Sequence, residues 1–219
     1  MTQTTTAAHG GPQPSQRYQE LLRAYRQLHD EGSPELGIES AAMFPGQSLV
    51  DHVATLLALS QTYGFRTMLD YGCGKAMMYR PVHDIRLPDG RRASCVQQVL
   101  GVDATLFDPG YLPYSERPAG RFDLVVCTDV LEHCDEQDLP WIVEELFSYA
   151  KRFVFANVAC YPARKTLPNG ENAHCTIKST QWWRDLFANV STTHPDIDFQ
   201  VVCTRIADGQ RVNDVISRP

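Results

Sequence analysis

A short apolar segment that runs directly into a pair of glycines constrains the fold of this chain more than any other feature. Residues 66–70 are apolar at their centre and end in Asp70, and Gly72 and Gly74 follow at once. A strand that enters a glycine loop and then a short helix is the first half of a β-α-β unit. The glycines let a ligand approach the backbone closely, and the N–H groups of the helix would point at it. The other interpretation is a tight turn that requires positive φ and binds nothing.

Further along the chain, apolar strands alternate with amphipathic helices. Residues 122–127 are continuously apolar, as is typical of a central parallel strand covered on both faces. The remaining periodicity predicts helices over 18–29, 49–61, 136–150 and 180–190, and strands over 104–107, 152–159, 197–206 and 211–217. Ser48 is expected to cap the second helix and Gly64 to end it, while Asp208-Gly209 predicts a hairpin turn between the last two strands. We therefore expect the α/β class, with a Rossmann-like, doubly wound, mostly parallel sheet and a C-terminal antiparallel hairpin.

The length of 219 residues favours a single domain. We place this domain at residues 16–219, after a polar tail at 1–15 that we expect to be disordered. Residues 16–65 supply the first helices, which we expect to cover the ligand site as a lid. Residues 161–178 form a long, polar, irregular segment, and a loop of this length within a compact domain is usually functional.

Charge and composition narrow the choice of partners. A net charge of −6 argues against a general electrostatic grip on nucleic acid, so small molecules or proteins are the expected partners. The chain has no apolar run of the roughly 20 residues that a membrane span needs, and its start lacks the apolar region of a secretory signal. Its 7 cysteines include no C-x-x-C pair, which suits a reducing cytoplasm. His83, Asp84 and Asp89 match no ligand set, so no metal is expected.

The glycine loop carries a more specific pattern, L-D-Y-G-C-G-K-A at 69–76. Because position 77 is Met, the dinucleotide pattern G-x-G-x-x-G is not met. The spacing resembles motif I of class I S-adenosylmethionine-dependent methyltransferases, with Asp70 as the acid and an alanine in place of the third glycine. The resemblance implies S-adenosylmethionine as the cofactor, bound by Asp70, Gly72, Cys73 and Gly74.

The resemblance also implies an acid at the end of the second strand that accepts hydrogen bonds from the two ribose hydroxyls. A carboxylate suits a diol because it has two acceptor oxygens. Asp108 is preferred, because it follows the better apolar run and precedes Pro109, which we also assign to the cofactor site; Asp103 is the alternative. The short interval before residue 122 leaves little room for the helix and third strand of most members, so we expect that strand to be shortened or absent.

Residues 122–133, which end in D-V-L-E-H, closely resemble the fourth-strand motif of the same superfamily. This implies that Thr128, Asp129 and Val130 contact the cofactor, at the strand end where open α/β sheets bind ligands. His133 follows them, either as a functional group or as an ordinary capping or core histidine.

The segment L-P-N-G-x-N-A-H at 167–174, followed by W-W, resembles an uncharacterised bacterial and phage subset of these enzymes. We assign the methyl acceptor to this side of the site, with substrate contacts from Asn157, Tyr161, Asn172, His174 and Trp182. Trp183 is favoured as a core residue. If the acceptor is a hydroxyl, His174 is the first choice of general base, with Asp129 and His133 in reserve.

The sequence thus predicts an S-adenosylmethionine-dependent methyltransferase that acts on an oxygen or nitrogen of a small-molecule or saccharide-like acceptor. One alternative is a non-catalytic subunit that binds S-adenosylmethionine or a nucleotide. Another is a nucleic-acid methyltransferase, although the N-P-P-Y and D-P-P-Y patterns of base-amino methylation do not occur. A third is a nucleotide-sugar or dinucleotide enzyme on a related fold.

Overall fold

Six strands form one sheet, with the strand that enters the glycine loop next to its edge. The computed structural model describes residues 14–86, 90 and 92–218. The strands are β1 (Thr67–Tyr71), β2 (Ile85–Arg86), β3 (Arg92–Ala93), β4 (Asp103–Phe107), β5 (Phe122–Thr128), β6 (Ala150–Ala159), β7 (Asp198–Ala207) and β8 (Gln210–Ser217). Their order is β4-β1-β5-β6-β7-β8, and every pairing is parallel except that of β7 with β8. Strands β2 and β3 form a separate antiparallel pair. The predicted mostly parallel sheet with an antiparallel C-terminal hairpin is confirmed.

Helices cover both faces of this sheet. They are α1 (Gln16–Glu31), α2 (Val53–Tyr63), α3 (Val96–Leu100), α4 (Leu139–Tyr149) and α5 (Thr180–Ser191). Helices α4 and α5 pack with β5 and β6 in one apolar core, while α2 and α3 enclose a second core on the opposite face. Burial on both sides explains why β5 is apolar throughout rather than alternating. Trp183 is fully buried in the first core, so its predicted core role is confirmed.

The sheet lacks the strand that would lie beyond β4. Between β4 and β5, residues 108–121 are all described and form a short 3-10 turn at Leu112–Tyr114 without a strand. Strand β4 is therefore an edge of the sheet, as the short interval predicted.

Two predictions around the second helix have opposite outcomes. Ser48 begins a 3-10 turn (Ser48–His52) and makes no capping bond, so its predicted role is wrong. Its hydroxyl instead lies 3.2 Å from Thr128 Oγ1, and both residues line the cavity described below. Gly64 does end α2 in the left-handed conformation that favours glycine, and its N–H donates to Ser60 O at 2.8 Å.

The expected helix after the glycine loop is also wrong, because only a three-residue 3-10 turn (Met77–Tyr79) follows. The loop is held instead by residues 44–48, which we call the strap: Lys75 N–H donates to Phe44 O at 2.8 Å. Gly74 has a φ of 57°, and a Cβ there would collide with the Phe44 carbonyl oxygen. The absent side chain thus makes room for the chain's own backbone, and no helix dipole faces a ligand here.

The turn between the last strands has the predicted form. Asp208 and Gly209 have φ values of 50° and 72°, which match a tight hairpin turn between β7 and β8. Within the described residues, no helix combines the length and apolar composition that crossing a bilayer requires.

The predicted tail at 1–15 lies mostly outside the described residues, which begin at 14. Ser15, which we assigned to the tail, caps α1 by accepting a hydrogen bond from Tyr18 N–H at 2.9 Å. Its own hydroxyl donates to Asp138 at 2.6 Å, so the ordered domain includes Ser15.

Candidate functional site

A cavity of about 300 Å³ opens at the carboxyl edge of the sheet. Its walls come from α1, the strap, the glycine loop and the ends of β4 and β5, and it includes most of the residues predicted to bind the cofactor. The predicted residues that line it are Gly72, Gly74, Asp108, Pro109, Thr128, Asp129 and Val130.

Asp108 fixes the glycine loop at one end of this cavity. Its Oδ2 accepts a hydrogen bond from Gly74 N–H and its Oδ1 one from Gly110 N–H, both at 2.8 Å. Burial raises the pKa of this carboxyl, and these backbone donors lower it. Each oxygen retains lone pairs that can accept hydrogen bonds from a ligand. Asp103, the alternative ribose acid, lies exposed at the opposite end of β4, away from the cavity.

Asp70 and Cys73 do not line the cavity, unlike the other residues assigned to the cofactor. Asp70 is 4% exposed and accepts a hydrogen bond from the Tyr79 hydroxyl at 2.7 Å. Burial raises the pKa of this carboxyl to about 7. The buried Cys73 thiol donates to Gly74 O at 3.6 Å. Asp70 and Cys73 therefore stabilise the glycine loop and do not face the cavity.

The remaining cavity wall includes aromatic and basic groups that the sequence analysis did not assign. Tyr25 and His29 of α1 face the strap, where the rings of Tyr25 and Phe44 meet edge to face at 5.7 Å. Lys165 Nζ lies 4.6 Å from the centre of the Phe44 ring. Burial lowers the pKa of Lys165, and the Asp129 carboxylate raises it. The lid expected over residues 16–65 includes α1 and the strap, but the helical spacing of α1 did not indicate which of its side chains face the cavity.

A second, more polar cleft of about 770 Å³ adjoins the first. Gln47, Ser48 and Asp129 line both spaces, so they form the boundary between them. The second cleft includes two residues predicted to bind substrate, Asn157 and Tyr161. Its other lining residues are Val50, Asp51, His52, Met78, His83, Ala159, Thr204, Arg211 and Asn213.

Asp129, His133 and His174 come together beside this boundary, although His174 itself lines neither cavity. One ligand atom from each lies within 4.8 Å of the others, and the two imidazole rings meet edge to face. Asp129 is exposed and has a φ of 60°, a left-handed conformation that Asp adopts more readily than most residues. Burial lowers the pKa of His133 to about 4, although the Asp129 carboxylate raises it. The sequence analysis proposed each residue for catalysis but did not predict that they meet.

The other two predicted substrate residues lie elsewhere. Asn172 stabilises its own loop, where Oδ1 accepts hydrogen bonds from Ala163 N–H and His174 N–H, both at 2.9 Å. Trp182 packs against Trp183 at a ring distance of 5.0 Å and lines neither cavity. In the structure, Asn172 acts on the site indirectly, by positioning His174.

Comparisons with known proteins give one remote likeness. No protein-family profile matches the chain, and no curated protein does. Among solved structures, the chain is similar to magnesium protoporphyrin IX methyltransferase from Synechocystis with bound SAH. The two are 14% identical over 91% of this chain and 94% of the other, with a TM-score of 0.46. We draw nothing about activity from a likeness this distant.

Proposed function

We propose that the chain is an S-adenosylmethionine-dependent methyltransferase whose acceptor is an oxygen or nitrogen of a polar small molecule or saccharide-like compound. The observation that carries this proposal is the pair of adjoining cavities with Asp129 in the wall of both. Group transfer requires the two reactants to be held close together. Two cavities that adjoin at the same residues would hold the cofactor and the acceptor next to each other. The two segments that resemble methyltransferase motifs, 69–76 and 122–133, both contribute residues to the first cavity.

The first cavity suits S-adenosylmethionine in its size and its polar groups. Its volume of about 300 Å³ lies at the lower end of the range for ligand pockets. We assign the ribose diol to the Asp108 carboxylate and the amino-acid carboxylate to Lys165. Tyr25 and Phe44 offer aromatic faces to the purine or the sulfonium. When bound, the cofactor supplies a methyl group that the positive sulfur makes electrophilic.

We assign the second cleft to the acceptor. Its wall carries hydrogen-bonding groups from several elements, including Tyr161, Arg211 and Asn213. Such a lining favours an acceptor rich in hydroxyl or amino groups over an apolar one. Only one arginine and no lysine occur among its described lining residues, which is too little positive charge for a nucleic-acid backbone. The strap and α1 cover the first cavity and exclude water from the transfer.

Two measurements on the purified protein test this function. Calorimetry should show binding of S-adenosylmethionine, and S-adenosylhomocysteine should form when polyols, amino sugars or amines are added. Asp129→Asn should lose most of the turnover, whereas Asp103→Asn should keep both cofactor binding and turnover.

Each alternative has its own signature in the same experiments. Binding without turnover on any acceptor would indicate a non-catalytic subunit, and turnover on oligonucleotides alone would indicate a nucleic-acid methyltransferase. Stabilisation by NAD and not by S-adenosylmethionine, measured by thermal shift, would indicate a dinucleotide enzyme. Any of these results would overturn the proposed function.

A further inference from the structure

We propose that Asp129, His133 and His174 bind one divalent first-row transition-metal ion at the boundary between the two clefts. This would be a metal site where the sequence gave no reason to expect one, because His174 lies in a separate segment from Asp129 and His133. The binding itself is independent of the proposed function; only the role of the ion toward the acceptor rests on that function.

Hydrogen bonds fix which nitrogen of each histidine is available. His174 Nδ1 lies 2.6 Å from Tyr161 O, and a carbonyl only accepts, so Nδ1 carries the proton. His133 Nδ1 lies 2.9 Å from Ala173 O. The Tyr25 hydroxyl, 2.9 Å from the same nitrogen, donates to that carbonyl at 2.8 Å.

The three atoms are His133 Nδ1, the Tyr25 hydroxyl oxygen and Ala173 O. All three are satisfied when His133 is neutral and carries its proton on Nδ1, so Nδ1 is a donor in His133 as it is in His174. Each ring then presents an Nε2 lone pair, and neither Nε2 is hydrogen-bonded to another described residue. A backbone carbonyl on Nδ1 that leaves Nε2 as the ligand is the usual second-shell arrangement of metal-binding histidines.

The spacing of the three groups fits one ion. One ligand atom from each residue lies within 4.8 Å of the others, so a single ion can lie within reach of all three side chains. Metal–nitrogen bonds are roughly 2.0–2.1 Å long, and rotation of the side chains would bring the free Nε2 atoms to that distance. Asp129 is exposed and lines both clefts, which leaves coordination positions open to small ligands.

The ligand set selects the class of metal. Two imidazole nitrogens with one carboxylate suit Mn²⁺, Fe²⁺, Co²⁺ or Zn²⁺, whereas Mg²⁺ and Ca²⁺ prefer all-oxygen sites. At this boundary, the ion would hold an acceptor oxygen and lower the pKa of a bound hydroxyl. A metal-bound His174 cannot take up a proton, so it would not be the general base, and the hydroxyl proton would pass to solvent water on the exposed Asp129 side of the site.

Titration of the metal-free protein with CoCl₂ tests the site, followed by the visible absorption of bound Co²⁺ and by calorimetry. We expect one equivalent to bind, with a spectrum of nitrogen–oxygen coordination that excess MgCl₂ does not remove. Asp129→Asn, His133→Asn and His174→Asn should each weaken binding by at least roughly 100-fold, since even outer-shell partners contribute about 10–100-fold. The asparagine variants of the histidines retain a donor in place of Nδ1 and remove only Nε2.

His194→Gln is the matched control, because His194 pairs with Glu144 and lines neither cleft, so this variant should bind Co²⁺ as the wild type does. Absence of Co²⁺ binding by the wild type would overturn the inference, as would displacement by MgCl₂ or unchanged affinity in Asp129→Asn. The exposed Asp129 variant keeps the test valid if a histidine variant fails to fold. Because neither cofactor nor acceptor is present, failure here is distinct from failure of the methyltransferase proposal.

Discussion

Asp103 and Asp108 begin and follow the same five-residue strand, yet the structure gives them different surroundings. Asp108 contacts the backbone of the glycine loop and lines the cavity, while Asp103 is exposed at the far edge. In a parallel sheet, the carboxyl ends of the strands meet at one edge, so position along the strand decides which acid can reach a ligand.

The two acids provide a matched test at the residue level. Asp108→Asn should weaken S-adenosylmethionine binding by about 10- to 100-fold. The substitution removes a charged acceptor and also one of the backbone hydrogen bonds that hold the loop. Calorimetric titration measures this loss. Asp103→Asn should bind as the wild type does, and equal losses in both variants would contradict the assignment of Asp108.

The raised pKa of Asp70 predicts that the stability of the protein depends on pH. Its carboxyl holds a proton up to a pKa of about 7 in the folded protein but releases it near 3.8 when unfolded. Unfolding therefore releases a proton between these values, and the free energy of unfolding falls as the pH rises, by at most on the order of 4 kcal/mol.

Asp70→Asn removes this titration while its side-chain oxygen can still accept from Tyr79. Urea denaturation at pH 5 and pH 8 should show the variant gaining stability relative to the wild type at the higher pH. A difference between the two proteins that does not change with pH would show that Asp70 is not titrating in this range.

At the level of the elements, α1 and the strap depend on each other and on the loop that carries His174. Leu21 and Leu28 of α1 pack with Met43, Leu167 and Ala173 in a separate apolar cluster. This cluster holds α1 over the cavity. The start of α1 is fixed to the rest of the domain by the hydrogen bonds between Ser15 and Asp138.

Ser15→Ala should destabilise the protein by about 1–3 kcal/mol, because it removes both the cap of α1 and a partner of the buried Asp138. Ser179→Ala is the comparison, since Ser179 caps α5 through Trp182 N–H at 3.2 Å and bonds no buried acid. Thermal denaturation should show the larger loss for Ser15→Ala. An equal or smaller loss would mean that the bond to Asp138 contributes no stability.

The sequence predicted the elements that depend on local patterning. Runs of apolar residues located β5, β6 and β7, and the Asp208-Gly209 turn located the final hairpin. The helix predicted after Gly74 does not form because the strap supplies hydrogen-bond partners for Lys75 and Met77 N–H. The competing acceptors belong to Phe44 and Pro45, about thirty positions earlier in the chain. A local sequence pattern cannot predict an interaction over that separation.

The same limit applies to the site. The motifs identified the end of β5 and most of the first cavity, because those residues are adjacent in sequence. The approach of His174 to His133 depends on how the 161–178 loop folds back, with Asn172 bonded to Ala163. Likewise, Arg211 reaches the second cleft only through the pairing of β8 with β7.

For the whole molecule, the C-terminal hairpin matters because it completes the wall of the second cleft. Arg211 and Asn213 of β8 line the second cleft and not the first, and the Arg211 guanidinium lies 5.6 Å from the centre of the Tyr161 ring. The C-terminal hairpin thus contributes these residues to the second cleft and not to the first.

Arg211→Gln should therefore raise KM for the acceptor by about tenfold, the loss of roughly one charge-assisted contact, and leave the Kd for S-adenosylmethionine unchanged. Steady-state kinetics and calorimetry measure the two quantities separately. Arg205→Gln on the adjacent strand, whose side chain pairs with Asp214, is the control and should change neither. A weaker cofactor affinity in Arg211→Gln would contradict the division of the site.

The wall that Gln47, Ser48 and Asp129 share has a thermodynamic consequence. A molecule bound on one side of this wall would alter the position or charge of groups that face the other side, which would link the two binding equilibria. Linkage is reciprocal, which means that each occupant would change the affinity for the other by the same factor. Substitutions at Gln47 or Ser48, which face both clefts, should therefore change that common factor.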